Sequence, residues 1–394
     1  MSFWDVGMGR RGVIPLSHAD GHAAPRAALE GQQPMMDQSP NTKPLNVALQ
    51  GGGSHGAYTW GVLDKLLEDG RLAIDGLSGT SAGSMNAVVY AYGKMTGGPD
   101  GARTALHEFW SHVSEAGQWF SPVRTTPWDG WAKAWGMDRS PLFTLFDAAT
   151  RMVSPYVLNP FDFNPLRKVL EKTVDFDTLR DCRCTRLFIS ATNVRTGRVR
   201  VFTAPEISTD VVMASACLPF LFKAVEIDGE AFWDGGYMGN PSLFPFFYHT
   251  GTDDVLIVNI NPIERHTVPK SAPDIMDRVN EISFNSPLLG EMRAIAFVQK
   301  LIDEDWLNEE HKGKLRRVRF HAVRADQLMC DLTVASKYRT DWDFLCDLRD
   351  RGRAAAEAWL LAHVDDVGTC STVDLHQEYL GPDGAVGPDP APAP

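Results

Sequence analysis

The sequence predicts an α/β fold with a mostly parallel central sheet. Short apolar runs of strand length alternate with longer stretches that carry apolar residues at helical spacing. Twice, a glycine-rich turn joins such a run to such a stretch, at Gly51–Gly56 and at Gly79–Gly83. Alternation of strands and helices is typical of parallel sheets, because the chain must cross back before the next parallel strand begins.

Two strand–helix units open the predicted folded body. Leu45–Gln50 is an apolar run of strand length, and Ala57–Glu68 has apolar residues at helical spacing. Ile74–Leu77 predicts a second strand, and Ser84–Lys94 predicts a second helix that is rich in small residues. Further strands are predicted at Leu187–Asn193, Val199–Thr203 and Val255–Asn261, and further helices at Pro273–Leu307, with an interruption near Ser286-Pro287, and at Asp341–His363.

A β-hairpin is predicted around Asp228-Gly229. These two residues separate the apolar runs Ala224–Ile227 and Ala231–Trp233. The pair Asp-Gly suits the positive φ angles of a two-residue hairpin turn. The hairpin therefore places the residues that follow Trp233 at the end of a strand.

Composition divides the chain into a folded body and two tails. Residues 1–43 lack helical or strand periodicity, and residues 377–394 are rich in proline and glycine, so we expect both to be disordered. Residues 44–376 form one predicted domain, into which a helical cap or lid at about residues 97–165 is inserted. The tryptophans of this segment either meet lipid or pack the cap onto the core; they are Trp110, Trp119, Trp128, Trp131 and Trp135.

Charge and cysteine content exclude several classes of protein. The 394 residues carry a formal net charge of −12, which argues against nucleic-acid binding and against electrostatic attraction to anionic lipid. Six cysteines are too few for a disulfide scaffold, and no metal-ligand pattern or 18-residue apolar run occurs. We therefore expect a cytoplasmic protein without metal or cofactor, whose contact with membranes or lipid bodies is at most peripheral and apolar. The oligomeric state stays open.

The pentapeptide Gly79-Thr80-Ser81-Ala82-Gly83 has the pattern G-x-S-x-G between a predicted strand and a predicted helix. In this context small residues allow a sharp turn that exposes the serine oxygen, and the N-terminus of the next helix favours negative charge. Ser81 is therefore the candidate nucleophile. The same pattern also occurs in ordinary strand–helix loops, so it does not establish catalysis alone.

A second glycine motif, Gly51-Gly52-Gly53-Ser54-His55-Gly56, follows the first predicted strand. Successive glycines leave backbone N–H groups unshielded, as an oxyanion hole requires. The motif also fits the dinucleotide fingerprint G-x-G-x-x-G, but Asp75, the candidate ribose-binding acid, begins its strand instead of ending it. A phosphate-binding P-loop is excluded, because Ala57-Tyr58 stands where a lysine and a serine or threonine are required.

A third motif, Asp234-Gly235-Gly236, follows the predicted hairpin. A serine nucleophile needs a base within hydrogen-bond reach, and Asp234 is the candidate for that role. The two glycines let the backbone pass close to a neighbouring loop. Alone, the tripeptide is more often a structural turn.

Together the three motifs resemble those of the patatin-like phospholipase family. The resemblance implies a three-layer α/β/α sandwich and a Ser-Asp dyad that acts without histidine. It implies that Ser81 is the nucleophile and Asp234 the base. It further implies an oxyanion hole and supporting motif glycines; the hole comprises Gly51, Gly52, Gly53 and Ala82, and the supporting residues are Gly56, Gly79, Gly83, Gly235 and Gly236.

His55 departs from the family pattern, because family members commonly carry arginine or lysine at this position. The oxyanion donors are backbone groups, so the departure does not affect the implied dyad. It leaves open whether a fixed positive charge helps to bind a phosphate headgroup.

On this basis we expect a serine acyl hydrolase that cleaves lipid carboxylic esters, of the phospholipase A or lysophospholipase type, through an acyl-enzyme. Two alternatives stay open: an esterase that acts on a thioester or polyester, and a non-catalytic nucleotide-binding protein that uses the glycine loop. Chain order does not exclude a Ser-His-Asp hydrolase, because several histidines follow Asp234. The short interval between the glycine loop and Ser81 favours the dyad.

Overall fold

A mixed β-sheet forms the centre of the computed structural model, which describes residues 42–120, 153–265, 267–308, 310–311, 314–332 and 334–381. All these residues belong to one compact unit. The described strands are β1 (Lys43–Leu49), β2 (Leu72–Gly79), β3 (Arg186–Asn193), β4 (Val199–Thr203), β5 (Val225–Ile227), β6 (Glu230–Asp234), β7 (Asp254–Asn259) and β8 (Arg319–Arg324).

The strand order across the sheet is β5-β6-β3-β2-β1-β7-β8, and β4 pairs with β3 outside this path. The pairs that join β3, β2, β1, β7 and β8 are parallel, whereas β4, β5 and β6 run antiparallel to their neighbours. The sheet is therefore parallel at its centre and antiparallel at one edge. The carboxyl ends of β1 and β2 lie side by side, with Leu49 opposite Gly79.

Helices cover the sheet. The described helices are α1 (Gly56–Asp69), α2 (Ala82–Phe120), α3 (Pro155–Leu158), α4 (Pro165–Thr173), α5 (Phe176–Leu179), α6 (Thr209–Ser215), α7 (Phe244–His249), α8 (Ala272–Asp303), α9 (Asp326–Asp331) and α10 (Trp342–His363). Short 3₁₀ turns lie at Gly53–His55, Ala204–Glu206, Gly235–Tyr237 and Val334–Tyr338, and a π turn lies at His376–Leu380. Within the described residues, we find no helix with the combined length and hydrophobicity that a membrane crossing needs.

The two faces of the sheet bury two separate apolar clusters. In β1, Leu45, Val47 and Leu49 belong to one cluster, together with residues of α1, α2 and α10. The residue between two of them, Ala48, belongs to the other cluster, with Leu288 of α8 and residues of α7. Since successive side chains of a strand point to opposite faces, helices lie on both sides of the sheet. The predicted α/β/α sandwich is therefore confirmed.

The hairpin around Asp228-Gly229 forms as expected. Strands β5 and β6 pair antiparallel, with Ile227 opposite Glu230. Both turn residues have positive φ angles, 53° for Asp228 and 79° for Gly229. This is the backbone that a two-residue primed turn requires.

Helix α8 differs from the prediction because it continues through Pro287 instead of breaking there. Proline lacks the N–H that would bond to the preceding turn. Leu288 and Met292 are fully buried directly after it. Burial of these side chains keeps the helix axis continuous across the missing hydrogen bond.

The domain boundaries also differ in part from the prediction. Tyr379 lies inside the predicted C-terminal tail, yet it is 3% exposed and its hydroxyl donates to Asn259 Oδ1 at 2.9 Å. The tail prediction is therefore wrong for residues 377–381, and residues 382–394 lie outside the described part. At the N-terminus, residues 1–41 also lie outside it, and Lys43 already belongs to β1.

The predicted cap segment begins within α2, at a kink formed by Gly97 and Gly98. The backbone of these two glycines is not helical, and the helical segment that follows them buries Phe109 and Trp110 in the core beside Trp60. Residues 121–152 lie outside the described part of the chain. The cap therefore stays a prediction for those residues, which include three of the five tryptophans.

Candidate active site

Ser81 occupies a sharp turn between β2 and α2. Its φ angle is 53°, a left-handed conformation that is unusual for a residue other than glycine and that is often found at functional sites. Its backbone N–H donates to Ser215 Oγ at 3.0 Å, and its carbonyl accepts from the backbone N–H groups of Ser84 and Met85 at the start of α2. Hydrogen bonds on both sides thus hold the strained turn in place.

The glycine loop packs directly against this turn. A Cβ atom on Gly51 would lie 2.6 Å from Ser81 Cβ, so no larger residue fits there. Gly53 has a φ angle of 59°, and a Cβ atom on it would lie 2.5 Å from the carbonyl oxygen of Lys337. The loop requires glycine at both positions for these two different reasons.

The backbone N–H groups of the loop differ in what they bond. Gly51 N–H donates to Asn240 Oδ1 at 2.7 Å and is therefore occupied. Within the described residues, the N–H groups of Gly52 and Gly53 donate to no protein acceptor, nor does that of Ala82, the first residue of α2. The structure therefore favours Gly52, Gly53 and Ala82 over Gly51 as candidate oxyanion donors.

Asp234 ends strand β6 and is completely buried. Its Oδ1 accepts from Gly236 N–H at 2.8 Å, whereas its Oδ2 has no hydrogen-bond partner. Its backbone is fixed by hydrogen bonds to Cys217 and Thr192. Burial raises the pKa of this carboxyl from 3.8 to about 7, although Gly236, Ser81 and the charge of Lys337 oppose the rise.

Ser81 and Asp234 line the same cavity. The Ser81 hydroxyl is near enough to the Asp234 carboxyl to lower its pKa. The contact does not have the geometry of a full hydrogen bond, and Oδ2 stays without a partner. Catalytic hydrogen bonds are often long before substrate binds, so this arrangement is compatible with a nucleophile and its base.

The cavity has a volume of about 380 Å³, and the loop Gly51–Gly53 forms part of its wall. The apolar part of the lining, here called the apolar wall, consists of Leu218, Phe220, Leu221, Tyr237, Met276 and Phe284. Polar side chains of the lining, besides Ser81 and Asp234, include Asn261, Asp277, Asn280 and Lys337. A polar reaction centre beside an apolar wall suits a substrate with a carbonyl and a hydrocarbon chain.

The motif glycines lie where backbones meet around this cavity. A Cβ atom on Gly83 would lie 2.2 Å from Leu49 O, and one on Gly235 would lie 2.2 Å from Ser190 O. A Cβ atom on Gly79 would likewise meet the backbone of Gly83, whereas one on Gly56 or Gly236 would meet the side chain of Ala82 or Phe284. The close approaches of Gly83 and Gly235 therefore bring α2 to the end of β1 and the Asp234 turn to Ser190 of β3.

His55 carries no positive charge in this structure. It is 2% exposed, and its Nε2 lies 2.6 Å from Ser336 Oγ. Burial, with help from the charges of Lys337 and Arg265, lowers its pKa from 6.5 to about 3. His55 does not line the cavity, so it supplies no cation to a substrate.

Three polar residues of the site were missed by the sequence analysis: Lys337, Asn240 and Asn261. Lys337 comes from the turn Val334–Tyr338, and its Nζ donates to Asn261 Oδ1 at 3.1 Å. Asn261 Nδ2 donates in turn to Gly51 O at 2.7 Å. No motif marks these residues, although Asn240 follows the Asp-Gly-Gly motif closely enough to have been considered.

Asp75, the acid of the dinucleotide fingerprint, is occupied elsewhere. It is 2% exposed, forms an ion pair with Arg186, and accepts from Gly251 N–H at 2.9 Å. A carboxylate with these partners cannot bind a ribose without breaking them. The structure therefore gives no support to a nucleotide site at the glycine loop.

Comparisons with known proteins place this chain in a family. The family model described as patatin-like phospholipase matches residues 47–247, a span that includes all three motifs. No match was found among the curated proteins.

Solved structures also match this chain, at low identity. VipD from Legionella pneumophila is 14% identical, with a TM-score of 0.40, over 82% of this chain and 67% of that chain. A chain of the ExoU–SpcU complex from the type III secretion system of Pseudomonas aeruginosa is 14% identical, with a TM-score of 0.27, over 78% of this chain. This chain spans about half of that ExoU–SpcU chain, 53%.

Proposed function

The chain belongs to the patatin-like phospholipase family of ester-bond hydrolases, and on that premise we propose that it cleaves lipid carboxylic esters with Ser81 as nucleophile and Asp234 as base. The observation that carries the proposal is the buried Asp234 carboxyl. Its Oδ2 has no hydrogen-bond partner, and Asp234 lines the same cavity as Ser81. A pKa of about 7 makes this carboxylate a stronger base than an ordinary aspartate.

The mechanism has two acyl-transfer steps. Asp234 accepts the Ser81 proton while Ser81 Oγ attacks the ester carbonyl, and the N–H groups of Gly52, Gly53 and Ala82 stabilise the oxyanion. The protonated Asp234 then donates to the leaving alcohol, which leaves an acyl group on Ser81. Water, deprotonated by the same carboxylate, releases the fatty acid and restores the enzyme.

The apolar wall is the proposed site of the acyl chain. Phe220, Met276 and Phe284 lie on it, and Phe220 and Met276 are 61% and 42% exposed at the protein surface. A chain that extends from the carbonyl can therefore continue from the cavity to the outside. The length of that chain, its position in the lipid, and the choice between lipid ester, thioester and polyester are matters for a substrate panel.

Peripheral contact with a lipid surface is a second part of the proposal. The first turns of α8 expose Ile275, Met276 and Val279 by 44%, 42% and 49%, and Met276 also lines the cavity. With a net charge of −12, such contact would depend on apolar side chains. Binding to neutral vesicles should fall when Ile275 and Val279 are both changed to glutamate.

The decisive experiment labels the nucleophile. A fluorophosphonate probe should modify Ser81, and Ser81→Ala should abolish both labelling and hydrolysis of a short p-nitrophenyl ester, with an unchanged melting temperature. Ser154→Ala is the matched control, because Ser154 is exposed and does not line the cavity. Labelling of a different serine, or turnover by Ser81→Ala, would refute the proposed dyad.

A further inference from the structure

Lys337 is a cation of the candidate site that no motif indicates. It lies in the turn Val334–Tyr338, far along the chain from all three motifs. Its carbonyl packs against Gly53, and its Nζ bonds to Asn261, which bonds to Gly51 O. The side chain therefore runs alongside the glycine loop, next to the proposed oxyanion donors.

The surroundings of Lys337 leave it in contact with the cavity. Part of its surface is exposed, and it is one of the residues that line the cavity with Ser81. Burial of the ammonium lowers its pKa, whereas the nearby carboxylates Glu281, Asp277 and Asp234 raise it and Arg265 lowers it further. A desolvated ammonium interacts strongly with an anion that enters the same cavity.

We propose that Lys337 binds an anionic phosphate group of the substrate on the alcohol side of the scissile ester, the role that a neutral, buried His55 cannot fill. This inference rests on the proposed function and assigns a preference within it. In the proposed arrangement the acyl chain contacts the apolar wall, the carbonyl lies at Gly52 and Gly53, and the phosphate lies at Lys337, all of which line the same cavity. Esters that carry phosphate near the carbonyl are then better substrates than neutral esters with the same chain.

Glu281 does not cancel this charge. It accepts from Arg265 and Arg278, both of which hold its carboxylate, and its pKa is lowered in spite of burial. Asp277 also lines the cavity, and a carboxylate there opposes the entry of a phosphate. Lys337 and Asp277 should therefore have opposite effects on the preference for a phosphate-bearing ester, and both can be tested by substitution.

The test compares a short-chain monoacylglycerol with the acylglycerol phosphate of the same chain, both as monomers. In Lys337→Met, the ratio of kcat/KM for the phosphate ester to that for the neutral ester should fall roughly ten- to hundred-fold, mainly through KM. Lys337→Arg should keep the ratio within a few-fold, and Asp277→Asn should raise it. An unchanged ratio in Lys337→Met, or equal loss for both substrates, would overturn the inference.

A second measurement needs no variant and covers the case in which Lys337→Met does not fold. Non-hydrolysable ether analogues of the two substrates should inhibit the wild-type protein at different concentrations, the phosphate-bearing ether at the lower one. Equal inhibition would overturn the role of Lys337. Hydrolysis of the neutral ester by wild type, and its loss in Ser81→Ala, tests the proposed function separately.

Discussion

Asp234 and Asp254 are buried to the same degree, 0% and 2% exposed, but the pKa of Asp234 is raised whereas that of Asp254 is lowered. Asp254 accepts hydrogen bonds from the Arg319 guanidinium at 2.7 and 2.9 Å, from Gly368 N–H at 2.9 Å, and lies 3.1 Å from His321 Nε2. Burial alone would raise its pKa, yet these donors hold it well below the usual range. Asp254 is thus a permanent anion at the start of β7.

Asp234 has far fewer partners. One backbone N–H holds its Oδ1, and no cationic side chain forms an ion pair with it among the described contacts. Its pKa therefore rises to about 7 because burial outweighs the remaining donors. The comparison teaches that burial does not by itself make a carboxylate a base. A carboxylate with a full set of donors stabilises the fold, and one without them can exchange a proton.

The largest expected effect follows from Asp234→Asn. The amide keeps the shape and can still accept from Gly236 N–H, but it cannot take the Ser81 proton. We expect kcat to fall about a thousandfold or more. Hydrolysis of a p-nitrophenyl ester measures it, and kcat within tenfold of wild type would contradict the assignment of Asp234 as base.

Asp254→Asn should affect stability instead of catalysis. It removes the charge that pairs with Arg319 and leaves that guanidinium without its carboxylate. Loss of one member of a buried ion pair costs about 3–5 kcal/mol of unfolding free energy. Urea unfolding measures the loss, while kcat per folded molecule should stay near the wild-type value. A large fall in kcat without destabilisation would remove the contrast between the two aspartates.

The pH dependence of stability should also separate them. The pKa of Asp254 is depressed in the folded protein, so its contribution is present above about pH 4, the ordinary aspartate pKa, and is lost at lower pH. The pKa of Asp234 is raised, so the folded protein holds a proton that the unfolded chain releases, and stability falls between about pH 4 and pH 7. Urea unfolding at a series of pH values measures these changes. Asp254→Asn should remove the loss of stability below about pH 4, and Asp234→Asn should remove the fall between about pH 4 and pH 7. The same pH dependence of the unfolding free energy in wild type and both variants would contradict this.

The pH dependence of catalysis reports Asp234 alone. Because the base must be ionised, kcat/KM for a neutral ester should rise about tenfold per pH unit at acidic pH and level off above about pH 7. A neutral ester has no titratable group, so ionisation of the substrate does not contribute to the pH profile. A profile that is flat down to pH 5 would mean that the base titrates at an ordinary aspartate pKa.

Much of the fold could be predicted because its patterns are local. The run Leu45–Gln50, the hairpin turn at Asp228-Gly229 and the two glycine turns each depend on residues adjacent in sequence. Strand β8 was missed because Arg319 and His321 interrupt its apolar pattern. Both side chains contact Asp254 of the neighbouring strand, so their polarity is explained only by the tertiary structure.

The same distinction applies to the candidate site. Ser81 and Asp234 lie in motifs whose glycines are required by the backbone, so the sequence identifies them, and their roles as nucleophile and base stay predictions that the experiments above test. Lys337 and Asn261 are single polar residues in unremarkable surroundings. They reach the glycine loop only because β7 and the turn Val334–Tyr338 end beside β1. Proximity of this kind cannot be inferred from residue spacing.

The smallest expected effect concerns the support of the glycine loop. Asn240 Oδ1 accepts from Gly51 N–H, and its backbone carbonyl accepts from Gln50 Nε2 at 3.3 Å. Asn240→Ala would leave the buried Gly51 N–H without an acceptor, at a cost of about 1–3 kcal/mol of unfolding free energy. Since Gly52 and Gly53 follow directly, kcat should fall several-fold with little change in KM.

Asn240→Asp, which retains an acceptor oxygen, should recover most of the stability below the pKa of its carboxyl. If Asn240→Ala lowered kcat as much as Asp234→Asn does, the loop would depend on Asn240 far more than one hydrogen bond explains.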